Sequence, residues 1–225
     1  MASEVDICNI ALGHLGDPAT VASISPPEGS AQAEHCARFY PIARDALLEM
    51  HPWGFATRRV SLPLLSTTIA GWSYVYKTPA GVVNFISVLP PDAFDDYSYP
   101  APYPSDLYGS NAPQVSPAAG YYTPQSYQIE TSGGVQVLLT NQENAVLRYT
   151  ATVSDTTQFS PLFTISLTWL LSSMLAGPVL KGDVGAAESK RCYEMFNKHF
   201  VEATQSDATQ RSIKPQQIVP WMAGR

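Results

Sequence analysis

Charge is what this sequence has least of. Asp, Glu, Lys and Arg make up 14% of its 225 residues, against about 25% in an ordinary soluble domain. A monomer stays dispersed by presenting a charged surface, so this sparse supply points to an exterior that neighbouring subunits partly cover. Basic residues are the scarcer sign, 13 against 19 acidic, for a formal charge of -6 at pH 7. That balance excludes a nucleic-acid reader whose affinity comes from neutralising phosphates with Lys and Arg. Cysteine is nearly as scarce. Cys8, Cys36 and Cys192 are odd in number, form no CxxC pair and have no His at ligand spacing, which excludes a disulfide framework and a zinc site. All three lie in helical patterns among apolar neighbours, where a free cysteine packs as a small core residue. Residues 1–6 lack the basic and apolar regions of a secretory signal, so synthesis and folding in a reducing cytoplasm are expected.

Catalytic signatures are missing too. The chain has no GxSxG elbow, no HExxH, no P-loop and no GxGxxG after a strand. His14, His35, His51 and His199 all lie inside or at the ends of helical patterns, and His35 and Cys36, being adjacent, point roughly 100° apart on a helix and cannot pair. Asp92, Asp95 and Asp96 crowd together but lack the DxDxDG spacing of a calcium loop, so they read as a solvated acidic loop. No enzyme activity, cofactor or metal is expected.

What is present is core material. Hydrophobic residues amount to 45%, enough to exclude disorder. A first helix begins at Ser3, capped with Asp6 three residues on, and stops at Gly16-Asp17-Pro18. A second runs from Ser30 to His51-Pro52, with Ala33, Cys36, Ala37, Tyr40, Ala43, Leu47 and Leu48 inward, and Pro41 predicts a kink or two abutting helices. The period then falls to two. Arg59–Leu62, Trp72–Lys77 and Val82–Leu89 read as strands, and Ser126–Thr131, Val135–Thr140 and Ala145–Val153 as an antiparallel meander.

Between these groups, residues 91–125 hold seven prolines, six tyrosines and four aspartates without a Lys or Arg, a composition for neither a regular helix nor a central strand. Helices resume at Pro161, a natural first-turn position. Pro161–Leu180 is 20 residues without a charge, the length a bilayer requires. Thr164, Thr168 and Ser172 form a mild polar stripe opposite Phe163, Leu167, Leu170, Leu171 and Met174, so a buried core helix is expected rather than a membrane span. A fourth helix spans about Val184 to Gln205, with Ala187, Cys192, Met195, Phe196 and Phe200 inward. The polar stretch 209–225, with its isolated apolar residues, reads as an extended arm.

The predicted fold is therefore α+β. Residues 1–55 and 161–208 form a discontinuous four-helix body, 56–160 an inserted antiparallel β module carrying the 91–125 loop, and 209–225 an extended C-terminal arm. Candidate contact residues follow from exposure and type. Lys190, Arg191 and Lys198 face outward on the last helix, in the one sizeable basic region, 161–225, which has seven bases to five acids. Ile218, Trp221 and Met222 sit in an arm with no local core to join, so docking on a partner is expected of them. Tyr97, Tyr99 and Tyr103 present amphipathic rings suited to an interface or to a sugar.

One ordered set of motifs resembles a known family. Cys36 to Arg59, CARFYPIARDALLEMHPWGFATRR, is similar to the second-helix signature of bacteriophage head-to-tail adaptors of the tail tubular protein A type. Leu147-Arg148-Tyr149 before Val153-Ser154-Asp155, Phe159-Ser160-Pro161-Leu162-Phe163 opening a helix, and a final helix ending near Ala203-Thr204 follow in the order of that family. The likeness covers about residues 3–65 and 126–208, leaving the 91–125 loop and the arm without a counterpart. It implies a virion structural protein of the head-tail junction, assembled in the host cytoplasm. It implies a ring, twelvefold by analogy, between the portal protein and a tail tube or nozzle protein, with no membrane contact. Genome DNA would pass through the lumen unbound, past an acidic wall that does not hold phosphates. The competing class is a glycan-acting or glycan-binding phage tail protein that uses the acidic, tyrosine-rich loop.

Overall fold

The structure, a computed structural model, describes residues 2–18, 20–91 and 125–210. Among the described residues, four helices and two small antiparallel sheets make it an α+β fold. The chain divides into two compact units, one of Met1–Arg44 with the chain from Asp155 onward, the other of Asp45–Ser154.

Helices α1 (Glu4–His14), α3 (Pro161–Leu180) and α4 (Gly182–Thr209), with α2 (Ala31–Met50) as far as Arg44, belong to the first unit. Their starts are set by short polar side chains that satisfy first-turn amides. The Ser3 hydroxyl accepts from the Asp6 N–H at 3.1 Å while the Asp6 carboxylate accepts from the Ser3 N–H at 2.8 Å, a reciprocal pair that also holds the Asp6 carboxyl below its ordinary range. Ser30 accepts from the Ala33 N–H at 3.2 Å and Ser160 from the Phe163 N–H at 3.2 Å. Pro41 does not divide α2, which is a single helix through that position.

The side chains of α3 explain its lack of charge. Phe163, Leu167, Leu171 and Leu175 are fully buried, but so are Ser166, Thr168 and Ser172. The helix is the buried core helix expected from the sequence, and its polar stripe is buried at Thr168 and Ser172 along with the apolar side. Each hydroxyl reaches a carbonyl, which is how Ser and Thr are buried inside a helix without stranding a polar atom. Ser166 donates to Leu162 O at 2.8 Å and Thr168 to Ile165 O at 2.7 Å, while Ser172 Oγ lies 2.7 Å from Thr168 O and 3.0 Å from Ala11 O on α1. Among the described residues α3 is the one helix long and apolar enough to cross a bilayer, and half of that stretch is buried inside the structure.

Between α3 and α4 the chain turns within a residue or two. Lys181 has φ 58° and ψ 164°, and Gly182 has φ 57°, backbone that glycine adopts freely and a lysine does not. Past the turn, the buried stripe of α4 is Gly185, Cys192, Phe196 and Ala203. Ala187 points to solvent, against the sequence expectation. It lies two residues from Gly185, so a helical turn centred on the Gly185 contact carries it to the opposite side.

The second unit begins with the end of α2. Trp53 is fully buried and its indole N–H donates to Leu47 O at 2.8 Å. Strands β1 (Thr57–Ser61), β2 (Tyr74–Lys77), β3 (Val82–Leu89), β4 (Tyr127–Ser132), β5 (Val135–Thr140) and β6 (Val146–Ala151) follow. They form two antiparallel sheets with orders β1-β6-β3 and β2-β5-β4. Val60, Phe85, Val88, Leu147 and Tyr149 of one sheet share a core with Tyr74, Tyr76, Tyr127, Ile129 and Leu138 of the other. Alternation puts Val75, Val137 and Leu139 on the far face of the second sheet, where Leu65, Ile69 and Trp72 cover them.

The expected three-stranded meander is corrected by this topology. β4 and β5 form a hairpin through Gly133-Gly134, both at positive φ, but β6 leaves to become the middle strand of the other sheet. The turn responsible contains Asn144 at φ 52°. It is locked by Tyr76, whose hydroxyl donates to Gln142 O at 3.0 Å and accepts from the Ala145 N–H at 3.4 Å.

Candidate functional site

Of the residues singled out by sequence, Lys190, Arg191 and Lys198 are described, and all three are exposed on α4. Tyr97, Tyr99, Tyr103, Ile218, Trp221 and Met222 lie outside the described residues, as do Asp92, Asp95 and Asp96. The three cations do not make one patch. At roughly 100° per residue, Lys190 and Arg191 diverge, while Lys198, seven residues past Arg191, returns to the Arg191 side.

Arg191 is held by its own unit. Its Nε donates to Glu188 Oε1 at 2.6 Å, one of its terminal nitrogens also meets that oxygen, and Nη2 donates to His14 O at 3.2 Å. Its guanidinium lies 5.7 Å from the Trp169 ring centroid, within cation–π range. The arginine therefore ties the C-terminal end of α1, where carbonyls lack helical partners, to α3 and α4. Its bond to Glu188 raises the arginine's affinity for its proton and lowers that of Glu188.

Around this tie the unit assembles rings from three helices. His14 stacks on Trp169 with centroids 3.7 Å apart and planes 5° from parallel, and His199 lies nearly parallel to Trp169 at 6.3 Å. His14 Nε2 is 3.4 Å from Thr168 Oγ1, whose one proton goes to Ile165 O. The imidazole is therefore the donor in that contact, which assigns the Nε2–H tautomer to its neutral form. His199 Nδ1 meets Glu202 Oε2 at 3.0 Å. Nothing in the sequence joins His14 to Trp169, since 154 residues separate them.

Burial lowers the His14 pKa, and the positive charges of Arg191 and His199 lower it further. The folded state thus binds fewer protons at His14 than the unfolded state does. The resulting stability is complete above the ordinary value of 6.5 and is lost as pH falls below it toward the folded value. His14→Phe, which keeps a ring on Trp169, is expected to flatten the stability-pH curve just below 6.5 while leaving the carboxylate-driven loss below pH 4 in place. Urea midpoints measured from pH 3 to pH 8 check this, and an unchanged slope in the variant would remove His14 from the account.

The other side of α4 has a different character. Lys190, Tyr193, Asn197 and Val201 follow at i, i+3, i+7 and i+11, one helical face, and all four are exposed, Tyr193 at 47% and Val201 at 51%. Glu194, four residues past Lys190, is exposed beside these residues, and none of the four reaches another described element with a side-chain hydrogen bond. Among the described residues no group of three or more His, Cys, Asp and Glu is placed to hold a metal ion. What the unit offers outward on this side is the mixed face of α4. The chain matches no protein-family model and no curated protein.

Proposed function

We propose that this protein is a ring-forming head-to-tail adaptor of a bacteriophage, joining a portal protein to a tail tube or nozzle protein and surrounding the passing genome. The observation that carries the reading is the ordered set of motifs from Cys36 to Arg59, Leu147 to Asp155, Phe159 to Phe163 and the final helix. These fall on α2 and β1, on β6 and the segment after it, on the cap of α3 and on α4. Two further observations support it. Charged residues are too few, at 14%, to cover an isolated monomer in the usual way. The outward face of α4 sets an aromatic, an aliphatic and an amide beside the charged pair Lys190 and Glu194, a mixed surface suited to a contact between subunits.

In this reading the work of the protein is assembly. Each protomer offers the α4 face to a different surface of its neighbour, and the rotation between them closes the ring. Val201→Asp places a carboxylate in that contact without touching the buried stripe of Gly185, Cys192, Phe196 and Ala203. It is expected to lower the oligomeric mass by light scattering while leaving the protomer's unfolding free energy within about 0.5 kcal/mol of wild type. A wild-type protein that stays monomeric both alone and with a portal protein, or that hydrolyses cell-wall glycans, would contradict the reading.

A further inference from the structure

The outward face of α4 does not stop at Val201. Gln205 and Ala208 continue it at helical spacing and are exposed, so one exposed strip runs from Lys190 into the last turn of the helix. Its two bulky apolar members, Tyr193 and Val201, are each about half exposed. Where the strip ends, the sequence goes on. Residues 211–225 follow directly and hold Ile218, Trp221 and Met222 together with Arg211, Lys214 and Arg225, and no acidic residue. We propose that this segment of one protomer docks along the outward face of α4 of the next, with Trp221 and Met222 against Tyr193 and Val201. The proposal rests on the ring reading and names the surface that meets the α4 face.

Reach, charge and apolar content all fit this occupant. At about 3.3 Å per residue, residues 211–225 extend up to about 50 Å, whereas the helix from Lys190 to Thr209 rises about 30 Å, so the segment can cross a subunit boundary and still follow the strip. From Glu194 to its end, α4 carries Glu194, Glu202 and Asp207 against the single base Lys198. A segment whose charges are all positive is drawn to that end of the helix, and salt weakens the attraction. Tyr193 and Val201 offer apolar surface without a charge, and a tryptophan is the side chain that gains most from covering such surface at an interface. Lys214 and Val219 each precede a proline, which biases both toward extended backbone and favours an arm that reaches outward over one that doubles back within a few residues. Each protomer then gives one arm and receives one, a contact between two different surfaces that repeats around a ring.

The test uses the full-length protein with Trp221 replaced by photoreactive benzoylphenylalanine, mixed with isotope-labelled wild type, alone and with a portal protein, and irradiated. The expected product joins a light chain to a heavy one, and mass spectrometry is expected to place the link on α4 between Tyr193 and Ala208. With Tyr193→Ala in the labelled chain, the yield of that link in the assembled fraction is expected to fall severalfold. The same samples are imaged by negative-stain microscopy. Where rings or collars are present, a link within one chain, a link to another part of the protein or to the portal, no link, or an unchanged yield with Tyr193→Ala would each overturn the placement of the arm and leave the ring reading standing. Samples with neither rings nor collars would overturn both.

Discussion

Replacing Trp53 with alanine is expected to cost about 3–5 kcal/mol of folding stability, the range for removing a large buried aromatic. Trp53 is fully buried, and it sits where α2 gives way to the first strand. Its indole N–H holds the Leu47 carbonyl at 2.8 Å, its own carbonyl accepts from the Thr57 N–H at 2.9 Å, and its ring meets the edge of His51 at 4.8 Å. Alanine removes the ring and leaves the Leu47 carbonyl without the indole donor. Trp53→Phe separates the two terms. It restores much of the volume and none of the hydrogen bond, so a loss of about 1–3 kcal/mol is expected from the stranded carbonyl and the smaller ring. Urea unfolding of both variants measures the difference. Equal losses would mean that volume is irrelevant and the hydrogen bond is everything, which the full burial of the ring argues against.

Gly185→Val is the second large effect, and its cause is the opposite one, added rather than removed volume. A Cβ at Gly185 would lie 2.9 Å from the Ala176 carbonyl oxygen and 3.4 Å from Gly177 Cα. Both obstacles are backbone of α3, so neither can rotate away. The two helices must separate where the chain has just turned through Lys181 and Gly182. Overpacking of this kind costs about 1–3 kcal/mol for the first carbon, partly offset in Gly185→Ala by up to about 1 kcal/mol of better helix propensity. Alanine is therefore expected to destabilise by about 1–2 kcal/mol. Valine, with two more carbons against the same backbone and a poorer helix propensity, is expected to lose about 3 kcal/mol or more. Thermal unfolding ranks the series, and a Gly185→Ala variant more stable than wild type would show that α3 and α4 are not in fixed contact there.

The sequence makes local features readable and leaves distant ones hidden. Ser3 with Asp6, Ser30, and Ser160 before Pro161 are capping signals complete within four residues, and each marks a real helix start. The six strands were legible from alternation because each sheet has one face against the shared core. The destination of β6 was not, because nothing local distinguishes a third meander strand from one that crosses to the facing sheet. That choice is made by Tyr76, 69 residues before the Ala145 amide it receives. The hydroxyls of α3 fit the buried core helix that its sequence predicts. A Ser or Thr every four residues looks like a wet stripe, yet each can turn its proton onto a carbonyl of its own helix and be buried. The candidate contact residues divide in the same way. Exposure of Lys190, Arg191 and Lys198 follows from helical periodicity, whereas the tie of Arg191 to His14 and Trp169 depends on residues brought from three parts of the chain. Gly185 carries its signal in plain view, as a glycine on the apolar stripe of a helix, but only the neighbouring backbone explains it.

The proposed role rests on one claim above the others, that this chain acts as a closed ring seated on a portal. Negative-stain microscopy of the purified protein, alone and mixed with a portal protein, tests it most directly. The account predicts rings, or collars added to one end of the portal, with Val201→Asp reducing their number. Monomers in both samples, with portals left bare, would contradict it.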